Sequence, residues 1–401
     1  MSSPTPLMRT GAMIQRQAVV HPDRSVFAYA VRAVVPGPDG RALPEESVEH
    51  LVDGVLRTVD LGRLAGSRPI IVRATHQLIT SPDLLEAPHG LVLEIPTAHQ
   101  MSSGASRRFA ALTEASVRLS LADYVGDPVQ DALLPYVQLV KVDAGLSPLR
   151  LGDLVQRAAG AGAVVVAESA TSRARVTSAL EAGAELLQGP LVLQRQPSDE
   201  GRTFGAGEIQ CFELLRQLSS TDPDPNEYAR TVESDPELSM RVLHLVNSSA
   251  AGVRHKVDSV QLAVVMVGPQ RLGALAIAAL AGTTPSSMET LWYLLTRAHA
   301  CAALAGDDTG YTVGLLSAVA AHLRVPVSQI VSRTGVSPAI ADALENHGGR
   351  YGQVLAAVLA QEENDTEALA ATGLDSYTVA RTYLEALPQA LSLATRLAQA
   401  A

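Results

Sequence analysis

The spacing of hydrophobic positions changes near the middle of the chain. Before residue 195, short runs rich in β-branched residues alternate with stretches of helical period, a pattern typical of parallel βα units. After residue 208, apolar residues recur with the helical period between breaks rich in Pro, Ser and Thr. We therefore predict parallel βα units followed by an all-α domain. The predicted strands lie at 70–76, 91–96, 117–124, 137–143, 163–169 and 185–193.

A stretch that mixes Pro, Ser, Gly and charged residues separates the two patterns at 195–208. Such composition is typical of a linker. The predicted organisation is an α/β domain at 1–197, a linker at 198–207 and a helical domain at 208–401. With 401 residues, 47% of them hydrophobic, the chain is long enough for two domains with substantial cores.

Charge and apolar runs narrow the class of partner. The formal net charge is −10, so the general basic character of nucleic-acid and membrane-binding proteins is missing. The first 13 residues have no apolar signal core, and Pro269, Gln270 and Arg271 interrupt the most apolar later stretch. We expect a cytoplasmic protein without a membrane span. A nucleic-acid partner is not favoured, although a local basic patch stays open. Cys211 and Cys301 have no metal-binding spacing and are expected to be buried free thiols.

The stretch 235–248, DPELSMRVLHLVNS, carries the clearest helix signal. Asp235 can cap the helix, Pro236 suits its first turn, and Asn247 tolerates the geometry of a helix end. A wide apolar face predicts a helix buried nearly all round in the centre of a bundle, with His244 as a satisfied core residue. The apolar positions are Met240, Val242, Leu243, Leu245 and Val246.

This stretch and those that follow it at 256–268, 291–306 and 314–323 resemble an HDOD domain, over most of 206–396. HDOD domains are helical signalling modules related to the HD phosphohydrolases, whose adjacent His and Asp share a divalent metal. At the matching place this chain has Ser317 and Ala318, and it contains no His-Asp dipeptide. The resemblance therefore implies that no metal hydrolysis takes place in this half. His299 and His322 are expected to be structural.

In the first half, polar residues stand near the ends of separate apolar strands. Such ends converge on one face of a parallel barrel, where barrel enzymes place their catalytic groups. Four carboxylates and a lysine gathered there would suit one or two divalent cations and a phosphoester. For any single residue, exposure to solvent is the commoner outcome, but the recurrence in successive units favours a site or its remnant. The residues are Glu94, Asp123, Lys141, Asp143, Glu168 and Gln188.

Residues 14–197 resemble, more distantly, the EAL domain, a barrel phosphodiesterase that linearises cyclic di-GMP. The resemblance implies that the α/β domain at 1–197 is an α/β barrel of the TIM type. In that family one motif supplies a metal-binding Glu and an Arg that holds the ligand phosphate. The matching segment here, 29–34, has Ala30 at the acid and Val34 at the Arg. Both functions are lost by this match, unless Arg32 reaches in from a shifted register.

At further positions of the EAL pattern, this chain has lost some of the family's residues and kept others. Arg73 stands at a metal-binding Asn, and Thr97, Ala122 and Thr171 replace acids. The resemblance therefore implies a pseudoenzyme with a vestigial site, no metal and no cofactor. The retained residues are Glu94, Asp123, Lys141, Asp143, Glu168 and Gln188, the last of these in a Gln-Gly motif.

Three functions remain open. The first is a non-catalytic signalling scaffold that acts through protein partners, and the second is a receptor that binds cyclic di-GMP or another nucleotide without hydrolysis. The third is a residual phosphodiesterase. The lost phosphate-holding Arg weighs against the second and the lost metal ligands weigh against the third. Homo-oligomerisation stays open.

Arg73 carries the sharpest structural expectation. Without a metal, the carboxylates near the strand ends would repel one another, so one must take up a proton or a cation must be built in. Lys141 supplies one positive charge. Arg73 could supply the second through paired hydrogen bonds to a carboxylate. The alternative is that Arg73 turns outward to solvent.

Overall fold

The computed structural model describes residues 12–37, 39–82, 85, 89–190, 192, 205–218, 224–247, 257–281, 287–323 and 325–399. Most of the predicted linker, residues 198–204, lies outside the described residues. The chain forms two compact units. One consists of Met1–Gln194 with Leu359–Leu384, and the other of Arg195–Val358 with Glu385–Ala401. The boundary at 198–207 stays a prediction, but the unit with the barrel also takes in a segment that the sequence assigns to the helical domain.

Eight strands in the described part of the chain close into a barrel in sequence order, which confirms the predicted barrel. Neighbouring strands from β2 to β8 pair in parallel, whereas β1 is antiparallel to both β2 and β8. The βα pattern predicted parallel strands only. The short turn between β1 and β2 decides otherwise, because parallel neighbours need a long crossover. The strands are β1 (Met13–Val20), β2 (Val26–Val34), β3 (Ile70–Arg73), β4 (Leu91–Ile95), β5 (Arg118–Leu121), β6 (Leu139–Asp143), β7 (Val164–Glu168) and β8 (Leu186–Gln188).

Helices follow most strands of the barrel and bury one face against it. In α7, for example, Leu151, Leu154, Val155 and Ala158 recur with the helical period and are buried. The helices of this unit include α1 (Glu45–Leu56), α2 (Leu61–Ala65), α3 (His76–Thr80), α4 (Thr97–Gln100), α5 (Ala105–Glu114), α6 (Pro128–Asp131), α7 (Pro148–Gly160) and α8 (Arg173–Glu181).

The inside of the barrel is layered by the two-residue period of its strands. One layer is an apolar cluster to which β3, β4, β6, β7 and β8 contribute Ile71, Val92, Leu139, Val166 and Leu186. Two residues later, the same strands place Arg73, Glu94, Lys141, Glu168 and Gln188 on the same inner face. The polar layer therefore lies at the carboxyl ends of the parallel strands.

The second unit is helical, as predicted. Its helix α14 packs on α15 through a close approach at Gly314, where a Cβ atom would lie 2.7 Å from the carbonyl oxygen of Arg297. The remaining helices of the chain are α9 (Ala206–Leu218), α10 (Pro225–Glu233), α11 (Pro236–Asn247), α12 (Val260–Val267), α13 (Pro269–Ala281), α14 (Ser287–Ala305), α15 (Asp308–Leu323), α16 (Val327–Thr334), α17 (Pro338–Asn346), α18 (Gly349–Glu363), α19 (Thr366–Ala371) and α20 (Ser376–Gln399). Of these, α19 lies in the unit with the barrel.

The predicted helix at 235–248 forms as α11, and Asp235 caps it by accepting hydrogen bonds from the amides of Glu237 and Leu238. The prediction that it is buried nearly all round is wrong. Met240 is 68% exposed, and His244 is exposed rather than a core residue. The reason is that the apolar positions do not share one face: α11 buries Leu238, Val242, Leu245 and Val246, and leaves Leu243 half-buried.

Cys211 and Cys301 are buried free thiols, as predicted. Burial raises the pKa of the Cys211 thiol to about 12, which keeps it protonated at neutral pH. Among the described helices, none alone is long and apolar enough to cross a membrane, although the bent pair Val260–Val267 and Pro269–Leu280 passes a test of length and composition.

Candidate functional site

A cavity of about 580 Å³ opens at the polar layer of the barrel. Glu94, Asp123, Lys141, Glu168 and Gln188, five of the six residues predicted from the strand ends, line it together. Because they come from separate strands, their meeting is a consequence of barrel closure. Other residues in the wall include Gln15, Gln17, Arg32, Arg73 and the acidic turn at 363–365, which belongs to the same compact unit.

Glu94 lies at the centre of the charged network and is only 5% exposed. Its Oε1 atom accepts a hydrogen bond of 2.8 Å from Nη1 of Arg73. Its Oε2 atom is paired with Nζ of Lys141, a side chain that is 2% exposed. Both oxygens of this buried carboxylate are thus occupied by protein cations.

Arg73 points into the site and not outward to solvent. Its Nε atom lies 2.6 Å from Oε1 of Glu45, and its Nη2 atom lies 3.3 Å from Oδ2 of Asp123. Together with Glu94, three carboxylates surround one guanidinium. Burial by itself lowers the pKa of Arg73, but the carboxylates outweigh it and raise that pKa above its usual value. Arg73 is therefore a permanent cation, and through Glu45 it also ties α1 to the barrel.

The two glutamates of the site respond to their surroundings in opposite directions. Burial raises the pKa of Glu94, but Lys141 and Arg73 together hold it below its usual value. For Glu168, burial raises the pKa and Lys141, 3.9 Å away, offsets this only in part. Glu94 is consequently the ionised partner of two cations, whereas Glu168 holds its proton to higher pH than an exposed glutamate.

Asp123 and Gln188 have other partners. Asp123 follows β5 with a φ of 50° and its carboxylate also lies 3.4 Å from the hydroxyl of Thr97. Gln188 donates from Nε2 to Oε1 of Gln17, and its own Oε1 is buried with no hydrogen-bond partner among the described residues. A Cβ on the next residue, Gly189, would lie 2.6 Å from the amide nitrogen of Ala170, which explains the glycine of the Gln-Gly motif.

Asp143 departs from the expected cluster. It is exposed, does not line the cavity, and accepts a hydrogen bond from the amide of Gly145 in the turn that follows its strand. Sequence spacing places it at a strand end, but the local turn takes its carboxylate.

The positions that the EAL resemblance marks as lost have filled with small or apolar groups. Ala30 belongs to the inner apolar cluster, Val34 and Ala122 are buried, and Thr171 is exposed in the cavity wall.

In the helical unit, Ser317 and Ala318 are buried in α15. The hydroxyl of Ser317 accepts a hydrogen bond of 3.1 Å from Nη1 of Arg297, which is itself 1% exposed. A guanidinium thus contacts the place where a metal-binding His would stand in an HD enzyme.

The donor set of the barrel cavity does not fit a metal. Divalent cations need several free carboxylate oxygens, and both oxygens of Glu94 are already paired with cations. A metal at Glu94 would also face the positive charges of Arg73 and Lys141. In the part of the chain that the structure describes, no three His, Cys, Asp or Glu side chains are arranged so that they could hold a metal ion.

Sequence reasoning missed the contribution of β1. Gln15 and Gln17 share the inner face with Val19 by the two-residue period, so the pattern of that strand could have revealed them. The sequence leaves open whether Arg32 reaches into the site. It faces inward two residues after Ala30, lines the cavity, and donates from Nε to Oε1 of Gln15 at 2.7 Å.

Comparison with known proteins identifies one domain. Residues 210–319 match the HDOD family model, so the predicted HDOD domain is confirmed. The matched stretch begins in α9 and ends in α15.

Two relatives align over most of the chain. One is the uncharacterized protein YuxH of Bacillus subtilis, 24% identical, with 93% of this chain and 97% of the relative covered. The other is the cyclic di-GMP phosphodiesterase CdgJ of Vibrio cholerae, also 24% identical, with 85% and 83% covered. Among solved structures, an EAL domain protein from Listeria monocytogenes is similar with a TM-score of 0.37 and 14% identity. The match covers 47% of this chain and 91% of the Listeria chain. The family model confirms the HDOD part of the predicted fusion.

Proposed function

We propose that this chain, in which an HDOD domain follows an EAL-type barrel, is a cyclic di-GMP signalling protein whose barrel does not hydrolyse the nucleotide. The similarity to CdgJ over most of both chains supports the signalling class. The output of such a protein is contact with other proteins rather than a chemical product. Partner proteins can be identified by their binding to the full chain.

One observation supports the proposal that the barrel does not hydrolyse the nucleotide. The buried carboxylate of Glu94 is paired through one oxygen with Arg73 and through the other with Lys141. A metal-dependent phosphodiesterase needs that carboxylate to hold a cation that activates water. Here a guanidinium and an ammonium neutralise it, and neither can lower the pKa of a bound water as a divalent ion does.

The test is release of the linear product from cyclic di-GMP with magnesium or manganese present. We expect none from the wild-type protein, and none from Glu94→Ala. Turnover by the wild type that disappears in Glu94→Ala would show that the pseudoenzyme assignment is wrong.

A second candidate function, a receptor for cyclic di-GMP, is favoured by the position of Arg32. Its exposed guanidinium lines the cavity, and its hydrogen bond goes to the neutral amide of Gln15. A guanidinium with a neutral partner can still bind a phosphate. In this reading Arg32 replaces the phosphate-holding Arg that the sequence match lacks.

Calorimetry with cyclic di-GMP and without metal tests the receptor function. Saturating heat that is lost in Arg32→Gln, and retained in Arg63→Gln, would support it. Arg63 is a matched control because it is an exposed arginine of α2 that pairs with Asp60 within its own turn. An absence of heat from the wild type would leave the scaffold function.

A further inference from the structure

We propose that the acidic turn at 363–365 is a latch that closes the cavity against anions, and that Arg32 holds it closed through Gln15. The idea rests on the proposed function only in treating the cavity as the place where an anionic signal arrives. The turn consists of Glu363, the last residue of α18, and the two residues that precede α19, and it belongs to the compact unit with the barrel.

The hydrogen bonds form a relay from the cavity to the turn. Gln15 and Arg32 stand opposite each other in the antiparallel pair of β1 and β2. Arg32 donates to Oε1 of Gln15, and Nε2 of Gln15 donates to the carbonyl oxygen of Asn364 at 3.2 Å. Because one rigid amide carries both atoms, the bond to Arg32 fixes the orientation that reaches the turn.

The charges of the turn oppose an anion in the same space. Glu363 and Asp365 line the cavity together with Arg32. An anion that approaches the guanidinium therefore meets two additional carboxylates while the turn is in place. Binding of an anion at Arg32 would both remove the donor from Gln15 and favour the departure of these acids. Anion binding and closure of the latch are thus mutually opposed.

One buried polar atom of the turn is unsatisfied. The Oδ1 atom of Asn364 has no hydrogen-bond partner among the described residues, which costs free energy in the closed state. The φ of 59° at Asn364 adds little to this cost, because Asn tolerates the left-handed region at the end of a helix. The closed turn is held by the bond from Gln15, by a bond of 3.3 Å from Nε2 of Gln361 to the carbonyl oxygen of Ile14, and by the backbone amides of residues 364 and 365, which donate to Gln361 and Ala360.

Hydrogen exchange in the full-length protein tests the latch without any ligand. The reporters are the amides of Asp365 and Leu369, which donate to Ala360 and Asp365 respectively. In Gln15→Leu we expect both to exchange roughly tenfold faster, as the loss of one hydrogen bond predicts, with the strands unchanged. The matched control is Gln17→Leu, because Gln17 occupies the same strand face and bonds to Gln188 instead. Equal exchange in the two variants would overturn the relay.

If Gln15→Leu does not fold, Arg32→Met gives the same test from an exposed position. The anion arm uses inorganic pyrophosphate against chloride at matched ionic strength. Gating by an anion is supported if pyrophosphate makes the turn amides of the wild type exchange faster and has no such effect on Arg32→Met. Unchanged exchange in the wild type overturns it. Because cyclic di-GMP is not used, failure of the receptor function in calorimetry and failure of the latch are separate results.

Discussion

At the scale of single residues, the barrel site balances carboxylates against side-chain cations of the same chain. A pocket that gathers Glu94, Asp123 and Glu168 needs positive charge, and Arg73 and Lys141 supply it. The guanidinium suits this role because its planar fork bonds several carboxylates at once. Both cations are held in place by the fold of the barrel.

Arg73→Ala should lower the free energy of unfolding by about 3 kcal/mol, because it removes one of the two cations that are paired with the buried carboxylate of Glu94. The value lies at the low end for such changes since Lys141 still pairs with Glu94. Denaturant unfolding measures it. Arg63→Ala, which removes an exposed pair with Asp60, should have little effect. Equal effects of the two substitutions would mean that Arg73 does not stabilise the site.

Glu168→Gln should change the pH dependence of stability. The folded-state pKa of Glu168 is raised above the usual 4.5, so its contribution to stability is fully present below 4.5 and is lost as pH rises through the folded value. Glutamine mimics the protonated form and does not suffer this loss. The variant should therefore gain stability over the wild type as pH rises above 4.5, and denaturant unfolding across pH measures the difference. A difference that does not vary with pH would contradict the raised pKa.

At the scale of elements, α11 shows how a helix can be amphipathic although its sequence is apolar on several sides. Leu238 is 1% exposed, whereas Met240, two residues later, is 68% exposed. Two residues on a helix are separated by about 200°, so one points into the core and the other away from it. The element is stabilised by its buried stripe and by the cap from Asp235.

Leu238→Ala should lower the free energy of unfolding by about 2–5 kcal/mol, as large-to-small changes in a core do. Met240→Ala, on the same helix, should change it by less than about 0.5 kcal/mol because its side chain is mostly exposed. Leu243→Ala should fall between them, since Leu243 is half-buried. Thermal or denaturant unfolding of the three variants gives the order, and a large loss in Met240→Ala would contradict the burial pattern.

At the scale of the whole molecule, each compact unit is built from two separate parts of the chain. Leu359–Leu384 joins the barrel unit although more than 160 residues of the other unit precede it. Gln361 bonds to the backbone of β1, and Arg41 pairs with Glu367 at 2.9 Å. A division of the chain at a single linker would therefore separate parts that pack together.

A fragment of residues 1–194 should be less stable than the barrel unit of the full chain, because it lacks this segment. A peptide of residues 359–384 should raise the melting temperature of the fragment as its concentration increases, by mass action. A scrambled peptide of the same composition is the control. No change in melting temperature with the native peptide would show that the segment is not needed.

The sequence alone determined the features that depend on local pattern. The two-residue and helical periods predicted the six strands from 70 to 193 and the helical second half, because burial of a strand or helix face requires that spacing. The resemblance in 235–323 predicted the HDOD domain that the family model confirms. Strand ends predicted Glu94, Asp123, Lys141, Glu168 and Gln188 as neighbours, since closure of a barrel brings those ends together.

Only the tertiary structure decided which groups are in contact. The sequence could not decide whether Arg73 turns outward to solvent or into the site. The hydrogen bond from Arg73 to Glu94 shows that it turns into the site. The sequence placed Asp143 in the cluster, but its carboxylate accepts a hydrogen bond from the amide of Gly145 in the local turn. It could not bring Gln15 to Asn364, 349 positions away, because no local pattern encodes a contact between such distant segments. Charge pairing and burial act through space, and space between distant segments is set by the fold.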